Sequence, residues 1–398
     1  MASLSDAQRA IVAALAQHSS YGYRASSQVV NRLWLELDRI GAGLAKELLP
    51  LLEALSPGER EAFLAGRYTT DALKALKGEI DQAAKALDRA IRAEWSTSAL
   101  ALAGYEIAYI TEVMGKAVDG LPKVKVPAVK ALKAAADRPV FGGQLLDDLL
   151  TDIPVQARAR IYAGIRQGIG EGQTNAEIIR GLRGTDKLRY QDGLIHRSKL
   201  DVERVVRTAR NHVSNVAYEN TYKALGVKYL VVMATLDGRT SKYCAAMDGT
   251  AYEIDTDFPR PPYHYNCRTQ LVPSFDGAVP GNRPFVRSLK VRGGYRIGED
   301  GERLLRPASF RPVGDMTKAQ RERAGLKVGQ VQASTNYGSW LRSQDAAFQR
   351  EWLGPARYKL YKEGGYDLSR FVDPRGRQYT LQELRRRDAD TFKSIFGD

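Results

Sequence analysis

The longest helical pattern of the chain lies between residues 71 and 114, and it strongly constrains what the amino-terminal part can fold into. Thr69, Thr70 and Asp71 stand at its start, and their side chains suit an N-cap. An unbroken helix of this length extends roughly 65 Å at 1.5 Å per residue, although Gly78 and Gly104 are points where it can bend. One apolar stripe beside one charged stripe predicts packing in an intramolecular bundle, with docking onto a partner as the alternative. The apolar stripe recurs at steps of three and four residues, at Leu73, Leu76, Ile80, Ala83, Leu87 and Ala90.

Shorter helical patterns cover Asp6–Gln17 and Val29–Leu55. Together with the long pattern they predict a helical domain over residues 1–119. Residues 120–143 contain three prolines and a group of lysines, and we interpret them as a basic, solvated linker. Contact with phosphates is the alternative for this segment. Its lysines are Lys123, Lys125, Lys130 and Lys133.

The pattern changes from helix to strand in the middle of the chain. Thr174 and Glu177 form a capping box that opens a short helix, and Asp201–Leu225 is a longer helix that Gly226 ends. β-Branched and aromatic residues then predict strands at Val227–Thr235, Thr250–Ile254 and Thr269–Val272. The fold class is therefore α+β and predominantly helical, with central helices followed by a small β-sheet.

Beyond residue 275 the chain divides into two parts. Residues 276–335 are rich in Gly, Pro and Arg with little periodicity, and they predict an extended arm, with disorder as the alternative. Helical order returns over residues 336–398, which predict a small carboxy-terminal helical module with a basic cluster at Arg385, Arg386 and Arg387.

Charge and composition limit the partners and the compartment. The net charge of +14 predicts a nucleic-acid partner, with a solvated basic surface as the alternative. No apolar run reaches the roughly 18–20 residues that span a bilayer, and the amino terminus lacks the features of a secretory signal. Two cysteines provide no disulfide framework, which favours folding in a reducing cytoplasm.

Half of all cysteines and histidines of the chain lie in one short segment, at Cys244, His264 and Cys267. Thiolate and imidazole are zinc ligands, so a zinc site is one interpretation. The alternative is a buried thiol pair with a hydrogen-bonded histidine. A closed tetrahedral site needs a fourth ligand, and the sequence does not choose among the candidates His212, Asp237 and Asp248.

Catalysis has weaker support. Cys244 with His264 or His212 is a candidate nucleophile–base pair, and Asp237 with His264 a candidate nuclease site. Neither has a recognisable orienting residue, and the usual phosphate-loop, hydrolase-elbow and metalloprotease motifs are missing. We therefore predict that the chain is not an enzyme.

Three segments carry a resemblance to a known family. They are IRQGIGEGQTNAEIIRGLRG, RVVRTARNHVSNVAYENTYKALGV and, most specifically, ATLDGRTSKYC followed by DGTAY and PRPPYHYNCR. The sequence resembles the phage head morphogenesis proteins, the Mu F-like minor head proteins, over residues 144–275. Some members have cysteines where this chain has Ser241 and Thr269, and many have His-Pro where this chain has His264-Tyr265. The signature residues are Asp237, Arg239, Thr240, Cys244, Asp248, Gly249, Pro261, Pro262, His264, Cys267 and Arg268.

The resemblance implies a structural minor capsid protein of a tailed bacteriophage. Its implied partners are the portal protein, major capsid or scaffold proteins, and packaged double-stranded DNA, with a place in the virion head and, during assembly, in the host cytoplasm. A part in DNA delivery or ejection is also implied. Two alternatives stay open, a metal-dependent nuclease built on the Asp/His/Cys segment and a neck or tail adaptor that binds no DNA. We expect non-specific contacts to phosphate, with Arg204, Arg207, Arg210, Arg239 and Arg268 as the candidates in the central domain.

Overall fold

Two long helices form the frame of the amino-terminal half in the computed structural model. It describes residues 4–397 apart from residues 124, 189, 288–294, 298–302, 306–316 and 324. Helix α1 spans Leu4–Glu53, and the short α2, Pro57–Leu64, connects it to α3, Asp71–Ala117. The two long helices pack against each other along their length. At 50 residues, α1 extends about 75 Å.

Helix α3 confirms the periodicity prediction, while α1 differs from it. Thr70 caps α3 by accepting a hydrogen bond from the backbone N–H of Leu73 at 3.3 Å, and the helix runs unbroken through its glycines. The two patterns predicted before residue 56 lie in one continuous helix. A single glycine inside a helix, here Gly22, costs only about 1 kcal/mol relative to alanine. The packing of the helix on both sides of Gly22 outweighs that cost.

Four further helices follow along the chain, and one of them forms the centre of the fold. They are α4, Ala128–Asp137; α5, Leu146–Gly170; α6, Asn175–Arg183; and α7, Leu194–Ala224, with a 3₁₀ turn at Asp186–Leu188. Helix α7 is the central element, since one core joins its apolar face to α1, α3 and α5. The apolar face consists of Val202, Val205, Val206, Ala209, Val213 and Val216.

The segment predicted to be a linker contains α4. Ala131 and Ala135 of this helix are buried, and α4 packs on α3 and α7. Small alanine side chains let a short helix approach closely, and the prolines stand at its ends, where they do not interrupt helical hydrogen bonds.

Two three-stranded sheets follow. In the first, β1, Tyr229–Met233, lies between β3, Ala251–Glu253, and β4, Gln270–Ser274, antiparallel to both. Along the chain, β1 is followed by β2, Leu236–Asp237, and helix α8, Lys242–Met247, before β3 begins. In the second sheet β2 pairs in parallel with β5, Asn282–Arg287, and β5 pairs antiparallel with β8, Lys327–Gln332.

The predicted arm therefore supplies two strands of the second sheet. A hairpin of β6, Tyr295–Ile297, and β7, Arg303–Leu305, and the helix α9, Lys318–Arg323, stand between those strands. Much of the rest of the predicted arm lies outside the described residues.

The carboxy-terminal part consists of short helices around an aromatic core. These are α10, Tyr337–Arg342; α11, Ala346–Leu353; α12, Pro355–Lys362; α13, Leu381–Arg387; and α14, Ala389–Phe396, with a 3₁₀ turn at Ser369–Phe371. Their core includes Trp340, Phe348 and Phe371 and extends to Leu236 and Ala245 of the central part.

The structure confirms the predicted class, a predominantly helical α+β fold. The division into domains stays a prediction. Among the described residues, no helix is both long enough and apolar enough to cross a lipid bilayer.

Candidate functional site

Cys244, His264 and Cys267 meet beside the first sheet. The Sγ atoms of the two cysteines lie 3.7 Å apart, and Cys244 Sγ lies 3.1 Å from His264 Nε2. One ligand atom from each of the three residues lies within 4.8 Å of the others. Both cysteines are buried, and His264 is half-buried. We call this group the Cys/His cluster.

Local hydrogen bonds fix the two parts of the chain that form the Cys/His cluster. Ser241 caps α8 by accepting from the backbone N–H of Cys244 at 3.1 Å. The other two residues stand in a turn closed by the Cys267 N–H, which donates to the His264 carbonyl at 3.2 Å. Asn266 makes this turn with φ of 58°, a conformation that Asn tolerates better than most residues. Its N–H donates to Thr208 Oγ1 of α7 at 2.9 Å.

The orientation of the His264 ring is set by the backbone. Its Nδ1 lies 2.7 Å from the carbonyl oxygen of Tyr265. A carbonyl only accepts, so Nδ1 carries the proton and donates. In the neutral ring Nε2 then presents its lone pair towards Cys244.

The two thiols differ in acidity. The hydrogen bond from Cys267 is the largest influence on Cys244 and, against the effect of burial, lowers the pKa of Cys244 to about 7. Burial, together with the neighbouring Cys244, raises the pKa of Cys267 well above its ordinary value. Cys244 is therefore the first of the pair to become a thiolate, with Cys267 as its donor.

Asp237 and Arg268 form a two-pronged ion pair beside the Cys/His cluster. The guanidinium donates to both carboxylate oxygens, at 2.6 and 2.7 Å. Asp237 also accepts from the backbone N–H of Arg239 at 3.0 Å and from the Thr240 hydroxyl at 3.2 Å. Burial alone raises the pKa of this carboxyl, but the hydrogen bonds and charge of Arg268 outweigh it, so the net pKa is lowered.

Asp248 joins three parts of the fold. It accepts from the backbone N–H groups of Ala234 at 2.7 Å and Tyr337 at 2.6 Å, and it pairs with Arg283 at 2.9 Å. Burial raises the pKa of Asp248 despite the nearby guanidinium. The following residue, Gly249, has φ of 85° and donates its N–H to the Val232 carbonyl at 2.8 Å.

The three candidate fourth ligands of a metal site are engaged elsewhere. His212 Nε2 lies 2.8 Å from the Ala135 carbonyl, and burial lowers the pKa of His212 to about 4. Asp237 and Asp248 are held by Arg268 and Arg283. In the described part of the chain, Cys244, His264 and Cys267 form a three-residue cluster without these candidates.

The arginines predicted to contact DNA make intramolecular contacts. Arg204 pairs with Asp201 at 3.0 Å, Arg207 with Glu203 at 2.8 Å, and Arg239 with Asp237 at 3.6 Å. Arg268 is held by Asp237, as described above, and Arg210 is half-buried on α7. Contact of these five with DNA stays a prediction.

Polar residues on the buried face of α7 were missed by sequence reasoning. Asn215 accepts from the backbone N–H of Leu271 at 3.0 Å and so connects α7 to β4. Glu219 pairs with Arg138 at 2.7 Å and with Arg260 at 3.1 Å. Asn211, Asn215 and Glu219 follow one another at four-residue steps, so they share a helix face. Their position between apolar residues was the available signal.

The family comparison covers the same part of the chain. Residues 159–272 match the model of the family described as Phage Mu protein F like protein. No curated protein and no solved structure was found to match the chain. The matched range contains α6, α7, β1, β2, α8 and β3, most of β4, and the whole Cys/His cluster. Residues 159–272 are therefore similar to the Mu F-like family of phage proteins, the family that the sequence resembles.

Proposed function

We propose that the chain is a structural minor capsid protein of a tailed bacteriophage and acts in head assembly together with the portal protein. The observation that carries the proposal is the family match over residues 159–272. Major capsid or scaffold proteins are the further proposed partners, and the head interior or portal vicinity is the proposed location. Helices as long as α1 and α3 offer extended surfaces to neighbouring subunits.

A genetic experiment tests the assembly role. A nonsense codon is placed in the gene of the phage that encodes the chain, and a synonymous change at the same codon is the control. Electron microscopy of the lysates should show aberrant or empty heads, restored when the chain is supplied in trans. Normal yields of DNA-filled heads without the chain would contradict the proposal.

Contact with packaged DNA is the second part of the proposal. A net charge of +14 attracts polyanions. The five predicted arginines are engaged or half-buried, whereas four lysines of the 120–143 segment have exposed side chains. We assign the phosphate contacts to this basic segment, to Lys123, Lys125, Lys130 and Lys133.

Salt dependence of DNA binding measures these contacts. Affinity for a duplex should fall linearly on a logarithmic scale as salt rises, with a slope of about 0.9 per phosphate contact. Replacing the four lysines with glutamine should reduce that slope by about 3 to 4. A charge-matched control replaces four other exposed residues, Lys46, Arg67, Lys85 and Arg89.

The charge-matched control variant should retain most of the salt dependence of DNA binding. Equal losses in both variants would mean that the contact is diffuse over the surface. No binding even at low salt would favour an adaptor that does not touch DNA.

The geometry disfavours the nuclease alternative. A metal-dependent nuclease needs carboxylate oxygens that are open to a metal and to water, and both oxygens of Asp237 accept from Arg268 in a buried position. Incubation with plasmid DNA and divalent cations should leave the plasmid intact. Cleavage that disappears in His264→Ala would support the nuclease.

A further inference from the structure

We propose that Cys244, His264 and Cys267 bind one Zn²⁺ ion, with a water molecule as the fourth ligand. The ion would join α8 to the turn before β4, since Cys244 is 20 residues from His264 and 23 from Cys267 along the chain. The proposal concerns this site alone and does not depend on a role in head assembly.

The separations within the cluster fit the edges of a zinc tetrahedron. With Zn–S distances of about 2.3 Å, two thiolates on a tetrahedral ion lie about 3.8 Å apart. The Sγ atoms of Cys244 and Cys267 lie 3.7 Å apart. A sulfur and an imidazole nitrogen on the same ion lie about 3.5 Å apart, and the Cys244–His264 separation of 3.1 Å needs only a small outward movement of the ring.

The donor set selects the metal. Two thiolates and one imidazole are soft and borderline ligands that favour Zn²⁺ over hard cations such as Mg²⁺ and Ca²⁺. In the described part of the chain, the residues whose ligand atoms converge include no carboxylate, so an oxygen-seeking cation has little to bind.

The surroundings orient the ligands as metal sites require. His264 donates its Nδ1–H to the Tyr265 carbonyl at 2.7 Å, which directs Nε2 inward. A metal-binding histidine almost always uses its second nitrogen in this way. The side chain of Asn211 donates to the Cys267 carbonyl, and the Ser241 hydroxyl accepts from the Cys244 backbone N–H at 3.1 Å.

The fourth ligand is water, because the other candidate ligands already have partners within the protein. Asp237 and Asp248 are each held by an arginine, and His212 by the Ala135 carbonyl. His264 is half-buried, so its side of the cluster is the one open to solvent.

Cobalt titration of the full chain tests the site directly. The protein is purified with a reducing agent, stripped with a chelator, and titrated with Co²⁺. We expect thiolate-to-cobalt charge-transfer absorption and the intense visible bands of four-coordinate cobalt, saturating at about one ion per chain and displaced by Zn²⁺. The stripped protein should also unfold at a lower temperature than the zinc-loaded one.

Variants locate the ligands. Cys267→Ser and His264→Ala should each weaken zinc binding at least about tenfold, while His196→Ala, a histidine on α7 outside the cluster, should bind as the unaltered chain does. Because a ligand variant can fail to fold, the titration of the unaltered chain decides by itself. Absence of the cobalt bands, or a Cys244–Cys267 disulfide in place of bound metal under reducing conditions, would overturn the proposal.

Discussion

Arg268 closes the Asp237 turn of the family signature, donating to both oxygens of that carboxylate at 2.6 and 2.7 Å. Arg268 directly follows Cys267, so this ion pair also fixes the position of the Cys/His cluster relative to β2. The charged residues of the signature thus hold a loop in place, where sequence reasoning had considered them for DNA contact or for catalysis.

Removal of Arg268 should destabilise the fold strongly. Arg268→Ala leaves the buried Asp237 carboxylate without its partner, and breaking a buried pair from one side costs about 3 kcal/mol or more. Chemical denaturation measures the free energy of unfolding. The control is Arg239→Ala, since Arg239 is half exposed and lies 3.6 Å from the same carboxylate; we expect a cost below about 1 kcal/mol. Similar costs for both variants would contradict this assignment.

Removal of Arg283, on β5, should likewise destabilise the carboxy-terminal part. Arg283 pairs with the buried Asp248, which also holds the Tyr337 backbone N–H. Arg283→Ala should therefore cost about 3 kcal/mol and speed limited proteolysis near residue 337. Arg287, on the same strand, pairs with the half-exposed Asp345, so Arg287→Ala should cost less. Unchanged proteolysis in Arg283→Ala would argue against this anchor.

Glu219 should make stability depend on pH in the acid range. Burial raises the pKa of its carboxyl, but Arg138 and Arg260 outweigh burial and lower the pKa below its ordinary value of 4.5. A carboxyl with a lowered folded-state pKa stabilises the protein above its unfolded-state pKa, and this stabilisation disappears as the pH falls through the folded-state pKa.

The free energy of unfolding, measured from pH 7 down to the acid transition, should thus fall less steeply in Glu219→Gln than in the unaltered chain. Glu363→Gln changes an exposed glutamate and should leave the pH profile as it is. Parallel profiles for Glu219→Gln and the unaltered chain would show that the pairing contributes nothing.

Replacement of two glycines of the matched region with alanine should change the stability of the protein in opposite directions. A Cβ atom at Gly193 would lie 2.3 Å from the backbone carbon and oxygen of Arg183, so Gly193→Ala forces the start of α7 away from the end of α6. We expect a loss of several kcal/mol. Gly181 is exposed inside α6 with open space around it, and Gly181→Ala should stabilise by up to about 1 kcal/mol. Thermal unfolding distinguishes the two, and stabilisation by both would contradict the close approach.

The elements that sequence reasoning predicted well are governed by local pattern. Helix α3 begins after Thr70, one of the predicted cap residues, and α7 ends before Gly226 as expected. Strands β1 and β3 lie within the predicted strands, while β4 extends two residues beyond its predicted end. In each case, the hydrophobic period lies within the element, and the residues that begin or end the helices lie directly beside them.

The features that were missed depend on distant partners. Strand β5 pairs with β2, whose residues stand 49 positions earlier, and with β8, whose residues stand 40 to 50 positions later. No local pattern in the Gly- and Arg-rich sequence predicts that pairing. Helix α4 depends on packing of Ala131 and Ala135 against elements distant along the chain. His212, a candidate zinc ligand, faces the Ala135 carbonyl because α4 packs on α7, which the spacing of histidines and cysteines does not reveal.

Quantitative mass spectrometry of purified phage particles tests the central claim most directly. If the chain is a minor capsid protein, its peptides should be present in DNA-filled heads at a constant ratio to the major capsid protein, far below one to one. They should stay with the heads after washing in high salt. Particles that are infectious and DNA-filled but lack the chain, or a chain found only in the soluble fraction of the lysate, would contradict the account.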